Sequence, residues 1–164
     1  MMLTKAGEYA VRCMLYLAAQ VPDQVIRRQE ITRAMEIPNP FMAKIAQQLA
    51  RAGLIQIVQG ARGGYRLLGD PSAVTLLAVI EAVEGEIFLN ECLARPGACR
   101  RSPSCRVHNV WKTAREALRG VLGGVTLTQL VVGEHNCAAS FCDADPRTVP
   151  SLSPSTGKQK PPKQ

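Results

Sequence analysis

Hydrophobic positions recur at helical spacing in the first third of the chain, which predicts three helices there. The first covers residues 3–20, and its inward face consists of Leu3, Ala10, Met14 and Leu17. A second, short helix is predicted over residues 29–36. It ends before Pro38 because the residue that precedes a proline disfavours the helical backbone.

The third predicted helix has both a start signal and a stop signal. Asn39 is the candidate N-cap with Pro40 at the first helical position, and Gly53 ends the helix. The side chains predicted to face inward are Phe41, Ile45 and Leu49, flanked by Met42 and Ala46. The outward face carries Lys44, Gln47, Gln48 and Arg51.

After Gly53 the pattern changes from helical spacing to short runs rich in β-branched residues. Two strands are predicted, over residues 54–59 and 65–68, joined by a glycine-rich turn over residues 60–64. Thr75 is the predicted cap of a further helix that ends near Gly85. A helix–turn–helix followed by a glycine-tipped hairpin is the winged-helix arrangement.

A heptad pattern follows in the last third of the chain. Its apolar positions, in alternating steps of four and three, are Val107, Trp111, Ala114, Leu118, Val121 and Val125. Such a seam is typical of a helix paired with another helix. Gly123 and Gly124 are expected to end the helix before Val125, so the candidate dimer interface of a homodimer consists of Val107, Trp111, Ala114, Leu118 and Val121. Thr126 and Gln129 form a candidate capping box for a short last helix.

These elements predict a mainly α-helical fold with a small β wing: a winged helix–turn–helix and a long dimerisation helix. The predicted divisions are a winged helix–turn–helix DNA-binding domain over residues 1–85 and a cysteine loop over residues 86–106. The dimerisation helix and a short C-terminal helix cover residues 107–133. Residues 134–164 are polar and rich in Pro and Ser, and we expect a disordered tail.

Positive charge is concentrated in the predicted winged helix. The chain has a formal net charge of +7, and residues 26–66 hold seven basic residues against Glu30 and Glu36. This is the expected footprint of a phosphate-binding surface, although a solvated basic face or a protein-interaction module is an alternative. The predicted DNA contacts are Arg28, Asn39, Ala43, Lys44, Gln47, Arg51 and Arg62.

The predicted roles of these contacts differ. Gln47 can bind adenine and Lys44 can bind guanine in the major groove of double-stranded DNA. The third predicted helix would be the recognition helix, which enters the major groove. Arg51, at its far end, is expected to contact phosphate. Arg62 at the wing tip is placed to reach a neighbouring minor groove or the backbone. Phosphate contacts would supply affinity and salt dependence but little sequence information.

Cys92, Cys99, Cys105 and His108 lie within seventeen residues, in a segment otherwise rich in Pro, Gly, Ser and Arg. Thiolate and imidazole are ligands that suit iron–sulfur centres, zinc or copper. The gaps of six and five residues between the cysteines are longer than the tight pairs of zinc sites. Four nearby arginines would also favour thiolates and so a cluster-free redox switch. These are Arg95, Arg100, Arg101 and Arg106.

Other classes of protein are less favoured by the sequence. The apolar stretch over residues 3–20 is interrupted by three charged residues and lacks a cleavage site. No apolar run is long enough to cross a bilayer, so we expect a cytoplasmic protein. An enzyme is not predicted, since there is neither a C-x-x-C pair nor a cofactor fingerprint. Cys137 and Cys142, with His135 nearby, are expected to be unligated thiols rather than a redox pair or a second metal site.

Three segments together resemble a known family. They are Met2-Leu-Thr-Lys-Ala-Gly-Glu-Tyr-Ala-Val-Arg12, Gly60-Ala-Arg-Gly-Gly-Tyr65 and the loop with three cysteines. They resemble the bacterial iron–sulfur winged-helix transcription regulators typified by IscR, NsrR and RirA, over about residues 1–133. The resemblance implies a homodimer that carries an iron–sulfur cluster, [2Fe-2S] favoured over [4Fe-4S]. It implies DNA affinity controlled by iron or cluster supply, nitric oxide or redox stress.

The resemblance also implies which residues hold the cluster. Cys92, Cys99 and Cys105 match the three cysteine ligands, and His108 matches the fourth ligand of IscR-like members. Glu8 matches the acidic ligand that NsrR-like members take from the partner subunit, so the fourth ligand stays open. Gln59, Ala43 and Lys44 depart from the residues of IscR-like members, which implies different promoters. The alternative is a zinc-binding or thiol-switch regulator without a cluster.

Overall fold

The computed structural model describes residues 3–95 and 97–132. In chain order its elements are α1 (Lys5–Ala18), α2 (Arg28–Ala34), α3 (Asn39–Arg51), β1 (Ile55–Val58), β2 (Gly64–Leu67), α4 (Leu76–Glu84), α5 (Glu91–Ala94), a 3-10 turn (Ser102–Ser104), α6 (Arg106–Gly123) and α7 (Leu127–Val132). The predicted fold class, mainly α with a two-stranded antiparallel wing, is confirmed. The predicted tail lies outside the described residues.

Helix α1 is the centre of the packing. Its buried positions include Ala10, Cys13, Met14 and Leu17, so the predicted apolar face is largely confirmed. Its first turn is capped twice. The Thr4 side chain accepts a hydrogen bond from the Gly7 N–H at 3.4 Å, and Glu84 at the end of α4 accepts from the same N–H at 3.1 Å. Both acceptors bind the Gly7 N–H, one of the groups that a helix start leaves unpaired.

The helix–turn–helix is formed by α2, a tight turn and α3. Helix α2 ends at Ala34, two residues earlier than expected, and Glu36 in the turn adopts a left-handed φ of 54°. This conformation lets the Ile37 N–H donate to the Thr32 carbonyl at 3.0 Å. A left-handed backbone conformation is strained for residues other than glycine. The turn keeps Glu36 in this conformation because the next residue, Ile37, is buried.

Two expectations for α3 are wrong. Its N-cap is Pro38 rather than Asn39, because the N–H groups of Phe41 and Met42 both donate to the Pro38 carbonyl. Pro40 therefore occupies the second helical position, where a missing N–H costs nothing. Phe41 is 43% exposed, whereas Met42 is fully buried. The buried face of α3 is thus rotated from the one expected, and consists of Met42, Ile45, Ala46 and Leu49.

The wing is the antiparallel pair β1–β2, in which Ile55 pairs with Leu67 and Val58 pairs with Gly64. It is joined to the segment before α2 by a β-bridge: Ile26 N–H donates to Tyr65 O at 2.9 Å, and Tyr65 N–H donates to Ile26 O at 2.8 Å. Gly64 makes this approach possible, since a Cβ there would lie 2.1 Å from the Ile26 carbonyl oxygen.

The predicted caps of the helices that follow the wing are confirmed. The Thr75 side chain accepts from the Ala78 N–H at 3.2 Å and so begins α4. The Thr126 N–H donates to Gln129 at 2.9 Å, while the Gln129 N–H donates back to the Thr126 hydroxyl at 3.4 Å. The segment expected to be a plain loop contains the short helix α5 and the 3-10 turn. Within the described ranges, no helix is long and apolar enough to cross a membrane.

Candidate nucleic-acid interface and cysteine loop

The outward face of α3 is basic and exposed. Its buried residues rest on the core, which leaves Lys44, Gln47 and Arg51 exposed on the opposite side. Asn39 is also exposed, at the first position of the helix, and Ala43 is half-buried at its edge. Among the described residues, no acidic side chain forms an ion pair with Lys44 or Arg51. Their charges are therefore available to phosphate groups.

Gln48 does not share this outward face, although its spacing suggested so. Its side chain is half-buried, and its Nε2 donates to the Val83 carbonyl of α4 at 3.0 Å. Its Oε1 is buried and has no hydrogen-bond partner among the described residues. The residue therefore contacts the protein interior rather than the surface that would face DNA.

Basic residues at the wing and at α2 extend the exposed surface. Arg62 is exposed at the tip, where the Gly63 N–H closes the turn on the Gly60 carbonyl at 2.9 Å. Arg28, the first residue of α2, is also exposed. Arg66 is different, since its guanidinium donates to the Gln56 side chain across the hairpin. The structure thus leaves Arg62 and Arg28 without an acidic partner in the part of the chain it describes.

An aromatic contact at the start of α3 was missed by the sequence analysis. The rings of Phe41 and Tyr9 meet edge to face, with centroids 5.5 Å apart. The Arg12 guanidinium lies 5.6 Å from the centre of the Tyr9 ring, and it donates to the Met35 carbonyl at 3.4 Å. These contacts link α1 to the beginning of the recognition helix. The available signal was Pro40, which is equally acceptable one position further into a helix.

The three loop cysteines lie on different elements. Cys92 is in α5, Cys99 precedes the 3-10 turn and Cys105 is the N-cap of α6. All three are half-buried thiols outside any disulfide. His108 follows in the first turn of α6, and its buried Nδ1 has no hydrogen-bond partner in the described part of the chain. A buried imidazole nitrogen without a hydrogen-bond partner costs free energy unless another group, such as a metal ion, binds to it.

The donor set fits an iron–sulfur cluster chemically, because it offers three thiols and one unpartnered imidazole nitrogen. The described residues do not bring these groups together: no three His, Cys, Asp or Glu side chains among them are close enough to hold one metal ion. A cluster would therefore have to draw the loop together as it binds, as metals commonly do when their ligands come from irregular segments.

The other candidate for a fourth ligand, Glu8, lies on α1 and is engaged elsewhere in the single chain. It forms an ion pair with Lys5 at 2.8 Å, and its side chain is about one-third exposed. The hydrogen bond from Lys5 lowers the pKa of the Glu8 carboxyl, and the nearby charges of Lys5 and Arg12 act in the same direction. The carboxylate is thus anionic and accessible to another molecule.

The segment that leads into the cysteine loop is held by α6. The Arg115 side chain donates from Nε to the Ile87 carbonyl at 2.7 Å, pairs with Glu86 and stacks 4.5 Å from the Phe88 ring centre. Trp111 donates from Nε1 to Asn90 at 2.7 Å in the amide orientation that satisfies both groups. Residues 86–90 are thereby fixed to α6.

The predicted seam of α6 is only partly covered in the single chain. Val107, Trp111 and Val121 are 57%, 38% and 51% exposed, and Val110 beside them is 65% exposed. Ala114 and Leu118, also predicted for the dimer interface, are half-buried. A stripe of large exposed apolar side chains on one helix is unusual for a surface that faces water alone.

Comparisons with known proteins agree with the winged-helix fold. A family profile described as "Rrf2: Iron-dependent Transcriptional regulator" matches residues 3–133. The HTH-type transcriptional regulator IscR of Yersinia enterocolitica is 32% identical over 131 residues, which are 80% of this chain and 79% of the relative.

Solved structures give the same fold. CymR, the global cysteine regulator of B. subtilis, has a TM-score of 0.66 at 24% identity over 81% of this chain and 98% of CymR. The oxidized form of Staphylococcus aureus CymR has a TM-score of 0.62 at 27% identity, over 80% of this chain and 96% of that one.

Proposed function

The chain belongs to the Rrf2 family of winged-helix transcription regulators, and from that premise we propose that an iron–sulfur cluster in its cysteine loop controls its binding to operator DNA. The family is one of transcription regulators and not of enzymes. The proposal concerns the finer points: which residues contact DNA, how the chain pairs, and what the loop binds. An operator on the chromosome would place the protein in the cytoplasm.

For DNA, we assign α3 to the major groove. Lys44 and Gln47 would contact base edges, with Asn39 and Ala43 lining the same side of the helix. Arg51, Arg28 and Arg62 would contact phosphate or, at the wing, the minor groove. The support for this assignment is that the charged members of the set are exposed and lack an acidic partner in the described ranges.

For assembly, we assign the exposed seam of α6 to a homodimer. Pairing two such helices would bury Val107, Trp111 and Val121 together with the edges of Ala114 and Leu118. A twofold pair of winged helices would then contact two half-sites of a palindromic operator. The same pairing would offer Glu8 of one protomer to the cysteine loop of its partner.

For the cofactor, we propose a [2Fe-2S] cluster held by Cys92, Cys99 and Cys105, with His108 as the fourth ligand. The observation that carries this choice is the buried Nδ1 of His108, which has no partner among the described residues. The three loop cysteines are free thiols in the same part of the chain. Glu8 is the competing ligand, and its ion pair with Lys5 would have to break. When bound, the cluster supplies redox and nitric-oxide chemistry; the chain supplies the ligands and the positive charge around it.

The test is anaerobic isolation of the full chain, with visible absorption, iron and sulfide counts and the mass of the intact holoprotein. We expect equal iron and sulfide in the [2Fe-2S] stoichiometry. Cys99→Ala should lose the chromophore, whereas Cys13→Ala should keep it because Cys13 is buried in the core away from the loop. A colourless, iron-free wild-type protein after reconstitution would refute the cluster.

Glu8→Gln and His108→Ala distinguish the fourth ligands. Loss of a histidine or a carboxylate from the cluster changes its absorption and its reduction potential. We expect a shift in His108→Ala and none in Glu8→Gln. The reverse pattern would assign the fourth position to the partner's carboxylate.

A second candidate is a thiol switch without metal, favoured by the likeness to oxidized Staphylococcus aureus CymR. Two loop thiols would form a disulfide, giving two electrons and two protons to an added disulfide such as oxidized glutathione. The loop arginines would favour the attacking thiolate. Metal-free protein treated with that oxidant would change its DNA affinity reversibly, and Cys99→Ala would abolish the change.

A further inference from the structure

The C-terminal end of α4, residues 81–85, contacts three other parts of the chain through polar groups. The Val83 carbonyl accepts from Gln48 of α3 at 3.0 Å, and Glu84 accepts from the Gly7 N–H of α1. Glu81 accepts from the Ile87 N–H at 3.1 Å and pairs with α6. We call residues 81–85 the α4 end turn. Val83 lies in the last turn of its helix, where carbonyls have no intrahelical donor.

Gln48 is satisfied on only one side of its amide. Nε2 donates to Val83, whereas Oε1 is buried and finds no donor within residues 3–95 and 97–132. The unpartnered Oε1 destabilises this position of the Gln48 side chain, because a buried acceptor without a donor costs free energy. The hydrogen bond from Nε2 to Val83 stabilises the same position. A small movement of α4 against α3 would break the hydrogen bond to Val83. The same movement would let Oε1 regain water, which would offset part of that loss. The contact would then have a second arrangement to which it could switch, which coupling between two sites requires.

The α4 end turn also lies close to the loop cysteines along the chain. Only residues 86–91 separate it from Cys92. Within them, the Ile87 N–H donates to Glu81, and the Ile87 carbonyl accepts from Arg115. Drawing the loop thiols together would pull on this short segment, and the Ile87 bond would pass the displacement to α4.

We propose that Gln48 is a positioning residue that couples the cysteine loop to the recognition helix through the α4 end turn. Occupancy of the loop moves the end turn, and the bond from Gln48 to Val83 carries that movement to α3. Gln48 itself contacts no base. The inference rests on the proposed function, because it requires DNA affinity to depend on loop occupancy.

The test compares Gln48→Met, which removes the amide at similar volume, with Gln47→Met on the same helix. The probe is a duplex selected from random sequence by the wild-type protein. Its dissociation constant is measured for each full-length variant with and without the cluster. We expect Gln48→Met to reduce the ratio of the two constants by about fivefold, the value of one hydrogen bond. Gln47→Met should weaken binding in both states and leave the ratio within about twofold.

A second readout needs no cluster. Trp111 is the only tryptophan of the chain and donates to Asn90 at the loop entrance. Because coupling is reciprocal, DNA added to metal-free wild-type protein should shift Trp111 emission. Gln48→Met should lose that shift and Gln47→Met should keep it at saturating DNA.

The outcomes separate the two claims. If wild-type affinity is the same in both cluster states, the proposed function fails, whatever Gln48 does. If wild-type affinity depends on the cluster and Gln48→Met keeps the full ratio, the coupling role is overturned. Gln48→Ala repeats the measurement should the methionine variant not fold, and far-ultraviolet circular dichroism checks each protein.

Discussion

Replacing Gly64 with alanine should destabilise the protein strongly, because backbone occupies the space that the new methyl group needs. An ideal Cβ at Gly64 would lie 2.1 Å from the Ile26 carbonyl oxygen, 2.7 Å from its carbon and 3.1 Å from the Arg27 Cα. These are main-chain atoms, so no side-chain rotation relieves the overlap. The strand that carries Gly64 must move away from the segment before α2.

The size of the destabilisation follows from the contacts that this movement would break. The two hydrogen bonds between Ile26 and Tyr65 are 2.9 and 2.8 Å long, and each contributes about 1 kcal/mol. Tyr65 is 7% exposed and Ile26 1% exposed, so some apolar burial is lost as well. We expect Gly64→Ala to lower the free energy of unfolding by about 2–4 kcal/mol.

The assay is urea unfolding of the full chain at one fixed concentration, since the proposed dimer would make stability depend on concentration. Gly120→Ala is the matched control. Gly120 lies inside α6, and a Cβ there meets nothing within 4 Å. This variant should gain about 0.5–1 kcal/mol from higher helix propensity. A loss below about 0.5 kcal/mol for Gly64→Ala would refute the close approach of the two backbones.

Three further predictions follow from individual residues. Gly7→Ala should cost about 1 kcal/mol in urea unfolding, because its Cβ would lie 2.7 Å from Glu84 Oε1 and would disturb the cap of α1. Burial raises the pKa of the Cys13 thiol from 9.0 to about 12. The stability that Cys13 contributes over Cys13→Ala should therefore be constant below pH 9 and fall as the pH rises towards 12. Arg51→Ala should lower the salt dependence of DNA binding by about one phosphate contact without changing sequence preference, as titrations at several salt concentrations would show.

The elements that the sequence predicted correctly are those with local chemical signals. Thr75 and the Thr126–Gln129 pair define helix starts through hydrogen bonds to residues three positions away, and this spacing is visible in the sequence. The wing followed from β-branched runs around a glycine-rich turn. The purpose of Gly64 was not visible, since its neighbour Ile26 is distant in sequence.

The errors concern residues whose positions are decided by another element. Phe41 has the hydrophobicity of a core residue, yet its ring contacts Tyr9 of α1 at the surface. Gln48 has the polarity of a surface residue, yet it donates to the end of α4. Periodicity ranks positions by angle around a helix, and both residues lie at the boundary between faces. There the partner helix, and not the angle, determines burial.

The two sides of the cysteine loop are held to different extents by contacts with other elements. Cys105 is the N-cap of α6 and His108 lies in its first turn, and the side chains of Arg115 and Arg119 bond this helix to Ile87 and Glu81. Helix α5 with Cys92 has no buried residue and is one turn long. Gathering the thiols would therefore cost less by moving α5 towards α6 than by moving α6, which would break several bonds at once. Residues 86–90 connect the movable helix to the α4 end turn. A displacement of Cys92 would thus reach the α4 end turn along the backbone, and α3 through the hydrogen bond from Gln48 to Val83.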